Sequence, residues 1–349
     1  MITTLIKNSP LNFSIDRLLE KRVVPDFIIR IGIRNLLKDR LNELQEGGNE
    51  AKVAFLETLK GSRLAIMEKE ANEQHYEVPT EYFKLCLGPR LKYSCALFED
   101  GINNLKDAED KMFELVAKRA ELVDGQDILE LGCGWVSLTI YLARKFPNSN
   151  ITAISNSRTQ KIHIDAYCEE HGINNVEIIT ANVVEFDTDK KYDRVCSIEM
   201  FEHMRNYESL LRNISKWLKD DGKLFVHIFC HDFYSYPFDV VDDSDWMSKY
   251  FFSGGIMPSF DIFEHFNKDL KIEKSYKVNG HHYSKTCEEW LKNMDANESR
   301  VREIFRDAYG EDQKEKWIEY WRIFYMACSE LFKMDGGEQW YVGHYLLKK

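Results

Sequence analysis

No stretch of about 18 apolar residues occurs in the 349-residue chain, so no membrane-spanning helix is expected. Positive charge is the scarcer sign: 47 basic residues face 58 acidic ones, for a net charge of −11. No long basic run appears, so nucleic acid is not expected as a partner. An acidic surface repels anionic lipid, which argues against stable membrane association, while it weakly attracts a cationic small molecule. No CxxC pair occurs among the eight scattered cysteines, Cys86, Cys95, Cys133, Cys168, Cys196, Cys230, Cys287 and Cys328. Reduced thiols and a cytoplasmic setting are therefore expected. The N-terminus has no cationic flank followed by an apolar run, so no secretory signal is expected. The N-x-[ST] triplets at Asn12, Asn213 and Asn297 are then read as chance. Metal-ligand spacing is absent, and no metal is expected. There is no internal repeat and no low-complexity segment.

What is present is an ordinary globular composition, 44% apolar and 30% charged, long enough to bury a sizeable core. Residues 12–70 read as helix, with Leu18, Leu19, Val23, Val24, Phe27, Ile28, Ile31 and Leu36 near helical spacing. Pro25 marks a break or a start, EGGNE (46–50) a turn, and Ser62 to Gln74 a further amphipathic turn or two. A helical pattern returns from Leu105 to Leu122. After Gly125 the texture changes to strand–helix alternation. DILELG (127–132), NITAIS (150–155), VEIITA (176–181), YDRVCSIEM (192–200) and KLFVHIF (223–229) read as strands, with helices between most of them. That alternation predicts an α/β fold with a parallel, doubly wound, Rossmann-like sheet. Residues 231–330 break it with aromatic-rich loops and then helices over 283–334, and EQWYVGHYLLKK (338–349) reads as a strand returning at the sheet edge.

In open α/β sheets ligands bind at the carboxyl ends of the strands. ELGCGW (130–135) stands there, between the first strand and a helix, and its glycines Gly132 and Gly134 let backbone approach a ligand. The spacing is not the GxGxxG of a dinucleotide fold. At the end of the second strand Ser155, Asn156 and Ser157 can hydrogen-bond hydroxyls without charge, and after the third strand the amide oxygen of Asn182 can accept from an adenine amino group. Past the fourth strand Glu199, Glu202 and His203 interrupt an apolar segment in a way that no core requires. A histidine titrates near working pH and relays protons, and a neighbouring carboxylate orients it or holds a cation. Trp246, Tyr250, Phe251, Phe252, Met257, Phe260, Phe263 and Phe266 crowd one segment. Such faces suit flat rings and cations, although half or more of them are expected simply to form core.

HYEVPTEYF, LKYSC, ELGCGW, SIEMFEHM, FVHIF and FFSGGIMPS occur in that order. Together they resemble the plant coclaurine N-methyltransferase group of the cyclopropane fatty acid synthase-like methyltransferases. The likeness runs from about His75 to Trp290 and more loosely to both ends. It implies an N-terminal helical cap over residues 1–105 and a Rossmann-like class I methyltransferase domain over 106–349, with a helical substrate insertion at about 231–335. It implies S-adenosylmethionine (SAM) as donor, S-adenosylhomocysteine as product, and a small aromatic alkylamine or cyclic, tetrahydroisoquinoline-like amine as acceptor, in a monomer or homodimer. By this resemblance Tyr93 and Ser94 contact the methionine end of SAM, Gly132 and Gly134 lie under it, Asn156 and Gln160 sit near the ribose, and Asn182 near the adenine. Glu199, Glu202 and His203 match the catalytic motif, and Phe252, His227, His282 and Tyr283 fall near the acceptor. Two positions depart from the group: Val136 replaces the last glycine of GCGWG, and Asn182 stands where aspartate is common. Both changes are expected to weaken the donor contacts unless neighbours compensate.

Two other functions fit the same motifs. A cyclopropane fatty acid synthase-type lipid methyltransferase holds a bicarbonate, by resemblance at Cys95, Glu202, His227 and Tyr283. The lack of a basic amphipathic stretch speaks against lipid. A SAM-binding protein with weak or no catalysis would account for Val136 and Asn182.

Overall fold

Amphipathic helices open the chain. The computed structural model describes residues 22–66, 78–135, 137–156, 158–240 and 245–349, without the side chains of 158–160 and 163. Helix α1 spans Asp26–Lys60, α2 Thr80–Cys86 and α3 Leu105–Arg119. The EGGNE segment does not end α1. The helix passes through it with a kink at Gly48, whose φ of 57° suits a residue without Cβ. Residues 62–66 are not helical, and the helical readings for 12–21 and 67–74 fall outside the described residues.

Strands β1 (Asp127–Leu131), β2 (Asn150–Ser155), β3 (Val176–Thr180), β4 (Tyr192–Ile198) and β5 (Leu218–His231) pair in parallel in the order β3-β2-β1-β4-β5. Helices α4 (Ser137–Lys145), α5 (Arg158–Glu170) and α6 (Tyr207–Trp217) carry the crossovers from β1 to β2, β2 to β3 and β4 to β5. Burial on both faces explains the apolar runs of β1 and β4.

The far side of the sheet corrects one expectation. β9 (Trp340–Lys348) is not the edge. It lies antiparallel between β5 and an unforeseen strand, β8 (Lys271–Val278), with eight of its nine residues buried. β8 is the edge, and its sequence KIEKSYKV hides it. A register shift between Ile272 and Lys274 breaks the two-residue alternation, and most of its side chains meet solvent.

Between β5 and β8 lie the short strands β6 (Tyr236–Pro237) and β7 (Ile256–Met257) and helix α7 (Trp246–Tyr250). Helices α8 (Gly280–Ala296), α9 (Glu298–Tyr309) and α10 (Lys314–Lys333) occupy the region read as helices over 283–334. Most of the aromatic segment is core. Phe251 stacks on Phe324 at 4.4 Å, Phe263 lies 4.7 Å from Tyr345, and Phe266 packs on Tyr207.

Charged contacts fasten α1. Arg22 pairs with Glu298 at 2.7 Å, Arg30 with Glu288 at 2.6 Å, Asp26 with Arg322 at 2.8 Å and Lys52 with Asp261 at 2.6 Å. The Asn206 amide donates to the carbonyls of Lys60 and Ser62 just past its end. Among its apolar residues only Ile29, Leu56 and Leu59 are buried. No helix of the described residues is long and apolar enough to cross a membrane.

Candidate active site

The loop after β1 turns sharply. Gly132 and Gly134 take φ of 77° and 50°, and the N–H groups of Gly132 and Cys133 donate to Ile154 O, closing the loop against β2. A Cβ at Gly132 would press on Met200 at 3.0 Å, while one at Gly134 would meet nothing within 4 Å. Glycine thus satisfies the turn at the first position and leaves open space at the second. Beneath it the buried Glu130 accepts from Thr139 Oγ1, and burial pushes its carboxyl up to about 7. Asn156 is exposed at the end of β2. A nucleoside donor fits these strand ends, the site expected for an open α/β sheet. The oxygen of Asn182 accepts from Val184 N at 3.0 Å, so here it serves its own loop. Val136 and the side chain of Gln160 lie outside the described residues.

One strand over, the chain leaves β4 at Glu199 with φ of 47°, an uncommon conformation for a residue with a side chain and one that costs about 1–2 kcal/mol. Its N–H donates to His227 O at 2.8 Å. The conformation places its carboxyl in a socket of donors. Oε1 accepts from Cys95 N and from His227 Nε2, both at 3.1 Å, and Oε2 accepts from Tyr283 OH at 2.5 Å. Lys92, fully buried, binds Ser94 Oγ and Cys95 O beside it. Burial raises the Glu199 carboxyl, and Lys92, the Tyr283 hydroxyl, Cys95 N–H and His203 oppose that rise.

Glu202 and His203 follow in a single 3₁₀ turn, Phe201–His203. Glu202 is 2% exposed, and its Oε2 has no hydrogen-bond partner among the described residues. Burial and then the charge of Glu199 push its carboxyl well above the ordinary range. Two carboxyls in one motif thus meet different surroundings: three donors and Lys92 favour the ionised form of Glu199, while burial and the charge of Glu199 favour a proton on Glu202. Burial also pushes the His203 imidazole down to about 4, so it is a neutral base at working pH. Its ring lies 6.4 Å from that of Phe252 and nearly parallel to it.

The structure therefore gathers Glu199, Glu202, His203, Phe252 and Tyr283, with the Lys92–Cys95 segment that carries Tyr93 and Ser94. It separates two residues read as acceptor contacts. His227 has both ring nitrogens engaged inside the protein, by Glu199 and His344. His282, next to Tyr283 on α8, faces elsewhere, with its imidazole against the Phe98 carbonyl and Glu99.

The model for mycolic acid cyclopropane synthetase matches residues 65–340. The chain belongs to that family. It is 38% identical to (S)-coclaurine N-methyltransferase of Thalictrum flavum subsp. glaucum over 339 residues, covering 95% of this chain and 94% of that protein. It is 36% identical to (S)-coclaurine N-methyltransferase of Papaver somniferum, covering 95% and 97%. A crystal structure of coclaurine N-methyltransferase bound to N-methylheliamine and SAH superposes with a TM-score of 0.92 at 35% identity, covering 97% of this chain and all of that one. Within the family this chain is a methyltransferase that falls with the N-methylating enzymes. Lys92, Arg119 and His344, all bound to the Glu199 network, escaped the sequence reading. His344 had a signal, a polar residue inside the apolar run WYVGHYLL.

Proposed function

We propose that this member of the family methylates the nitrogen of a small aromatic alkylamine or a cyclic, tetrahydroisoquinoline-like amine. The Glu199 socket carries the reading. A carboxylate offers about four lone-pair positions, and three donors leave one for a cationic or N–H group of an acceptor. Cys95, His227 and Tyr283, three of the four positions matched to a bicarbonate site, converge here on a carboxylate of the chain itself. A second anion in that place would meet Glu199, which counts against the cyclopropane synthase alternative. The complete donor set likewise counts against a protein that only binds SAM.

When bound, SAM supplies a methyl group already activated by its sulfonium. The Gly132–Gly134 loop, Tyr93, Ser94, Asn156, Gln160 and Asn182 are the residues proposed to hold it. An alkyl amine is largely protonated at neutral pH, so it must lose a proton before it can attack. His203, beside Phe252, is the proposed acceptor of that proton; burial makes its ring a weak base, and Glu199 offsets this by stabilising the imidazolium as it forms. Holding both reactants in register contributes up to about 7–11 kcal/mol. Residues 1–105 are read as the cover over the donor, 106–349 as the catalytic domain, and about 231–335 as the acceptor wall. The net charge of −11 supports a partner set without nucleic acid, and the eight free thiols support a cytoplasmic setting; a monomer or homodimer is proposed from the resemblance alone.

The test is incubation with methyl-labelled SAM, a panel of arylalkylamines and tetrahydroisoquinolines, and vesicles of unsaturated phospholipid, with products identified by mass. Label on an amine nitrogen is expected. Label confined to lipid would overturn the reading.

A further inference from the structure

A continuous row of hydrogen bonds leaves the Glu199 carboxyl on the side away from the glycine loop. His227 Nε2 lies 3.1 Å from Glu199 Oε1, His344 Nε2 lies 2.8 Å from His227 Nδ1, and Arg119 Nη1 lies 2.9 Å from His344 Nδ1. The two histidines face each other in register across β5 and β9, and both are fully buried. Arg119 ends α3, half-buried, with its guanidinium 4.4 Å over the Tyr276 ring of β8.

Donor counting fixes every proton in this row. A guanidinium has no acceptor, so His344 Nδ1 must accept from it. The ring then carries its proton on Nε2 and donates to His227 Nδ1. His227 in turn carries its proton on Nε2 and donates to Glu199. Neither ring can take a second proton without turning an acceptor into a donor that faces another donor. Each bond polarises the next, and all of them aim at the carboxylate.

We infer that Arg119 is a positioning residue, which acts through His344 and His227 to hold Glu199 as an ionised hydrogen-bond acceptor. The inference rests on the catalytic role proposed for Glu199, and it adds a residue remote from that carboxyl. Without Arg119 the row loses its one unambiguous donor. It can then reverse, with Nδ1–H on both rings and a lone pair of His227 facing Glu199, which favours a proton on the carboxyl. Low basicity of the two buried rings is consistent with the assigned tautomers: burial, then Lys92 and Arg119, push His227 well below the ordinary range, and burial, then His227, Arg119 and Lys92, do the same to His344. The other charged or titratable groups facing the row, among the described residues, are His203 and Glu202 from the 3₁₀ turn, Cys95 beside Lys92, and Tyr283 and Cys287 from α8.

Two measurements test it. The first needs no substrate: ¹⁵N ring shifts of histidine-labelled protein between about pH 6 and 8, assigned with His227→Gln and His344→Gln. Neutral rings protonated at Nε2 are expected for both residues. An Nδ1–H or doubly protonated ring at either position overturns the inference, whatever the acceptor proves to be. The second is the pH profile of methyl transfer. Arg119→Met is expected to move the acid limb of kcat/KM upward by about one pH unit, and to lower kcat/KM at neutral pH about tenfold, with SAM affinity within about twofold of wild type. Arg119→Lys keeps a donor and is expected to keep the wild-type limb. A folded Arg119→Met with the wild-type limb overturns the inference. Should Arg119→Met fail to fold, the ring shifts of the wild-type protein decide.

Discussion

Glu199 and Glu202 lie three positions apart, yet their carboxyls meet opposite surroundings. One sits among three donors with Lys92 nearby, and the other is buried with Oε2 unpartnered. An amide imitates a neutral carboxyl and not an anion. Glu202→Gln is therefore expected to be the milder change. Glu199→Gln turns an NH₂ toward at least one of the three donors, and a loss of roughly 10²- to 10³-fold in kcat is expected. His203→Ala is expected to lower kcat by a similar factor while SAM affinity, read by calorimetry, changes little. Glu202→Gln losing more than Glu199→Gln would reverse the assignment of the proton between them. Sequence reasoning reached these three residues because polar groups interrupted an apolar segment at a strand end. It had no access to the positive φ of Glu199, nor to the donors converging on it from β5, α8 and the Lys92–Cys95 segment.

The helices depend on two kinds of contact. α10 is buried on most sides through Tyr320, Trp321, Phe324 and Tyr325, whereas α1 buries little apolar surface and relies on ion pairs. Partly exposed pairs are screened by salt, with a Debye length falling from about 10 Å at 0.1 M to about 3 Å at 1 M. Hydrogen exchange over residues 26–60 is expected to quicken as sodium chloride is raised through that range, while β1, β4 and β5 keep their protection. Unchanged exchange in α1 would assign its docking to Ile29, Leu56 and Leu59 instead. Arg322 is the least exposed of the arginine anchors. It binds Asp26, Asp295 and Glu319, and Glu319 is 1% exposed. Removing this cation leaves Glu319 to Arg22 alone, at 3.3 Å, and takes the arginine from Asp26 and Asp295, so Arg322→Ala is expected to cost about 1–3 kcal/mol in urea unfolding. The parallel strands were legible because burial on both faces makes them apolar throughout. β8 was not, because an edge strand keeps its charged residues and here also shifts register. Missing β8 is what placed β9 at the edge, since nothing else in the chain was read as able to cover it.

Across the whole molecule, buried titratable groups oppose one another. His203 and His231 are pushed down to about 4, and His227 and His344 well below the ordinary 6.5. The unfolded chain binds those protons near pH 6.5 and the native state refuses them, so each histidine takes away stability as pH falls from there. The slope is about 1.4 kcal/mol per pH unit for each. Glu109 and Glu130 are pushed up from 4.5 to about 7, and Glu202 is pushed well above 4.5. There the native state keeps a proton that the unfolded chain has lost, so each takes away stability as pH rises above 4.5. Between about pH 4.5 and 6.5 the two sets oppose each other, four histidines against three carboxyls, so the melting temperature is expected to fall only gently as pH drops. Below that range the carboxyl set no longer opposes the histidines. Glu121 and Glu298, held at about 2 by their ion pairs, then lose their native advantage as the unfolded chain takes up protons, so a steep fall is expected. His344→Gln isolates one member of the balance, because the amide can accept from Arg119 and donate to His227 without titrating. Calorimetry should show its stability deficit against wild type shrinking as pH drops from about 6.5 toward 5, by up to about 1.4 kcal/mol per pH unit. A constant deficit would mean that His344 already shares its proton with the solvent, and the buried row from Arg119 to Glu199 would lose its fixed direction.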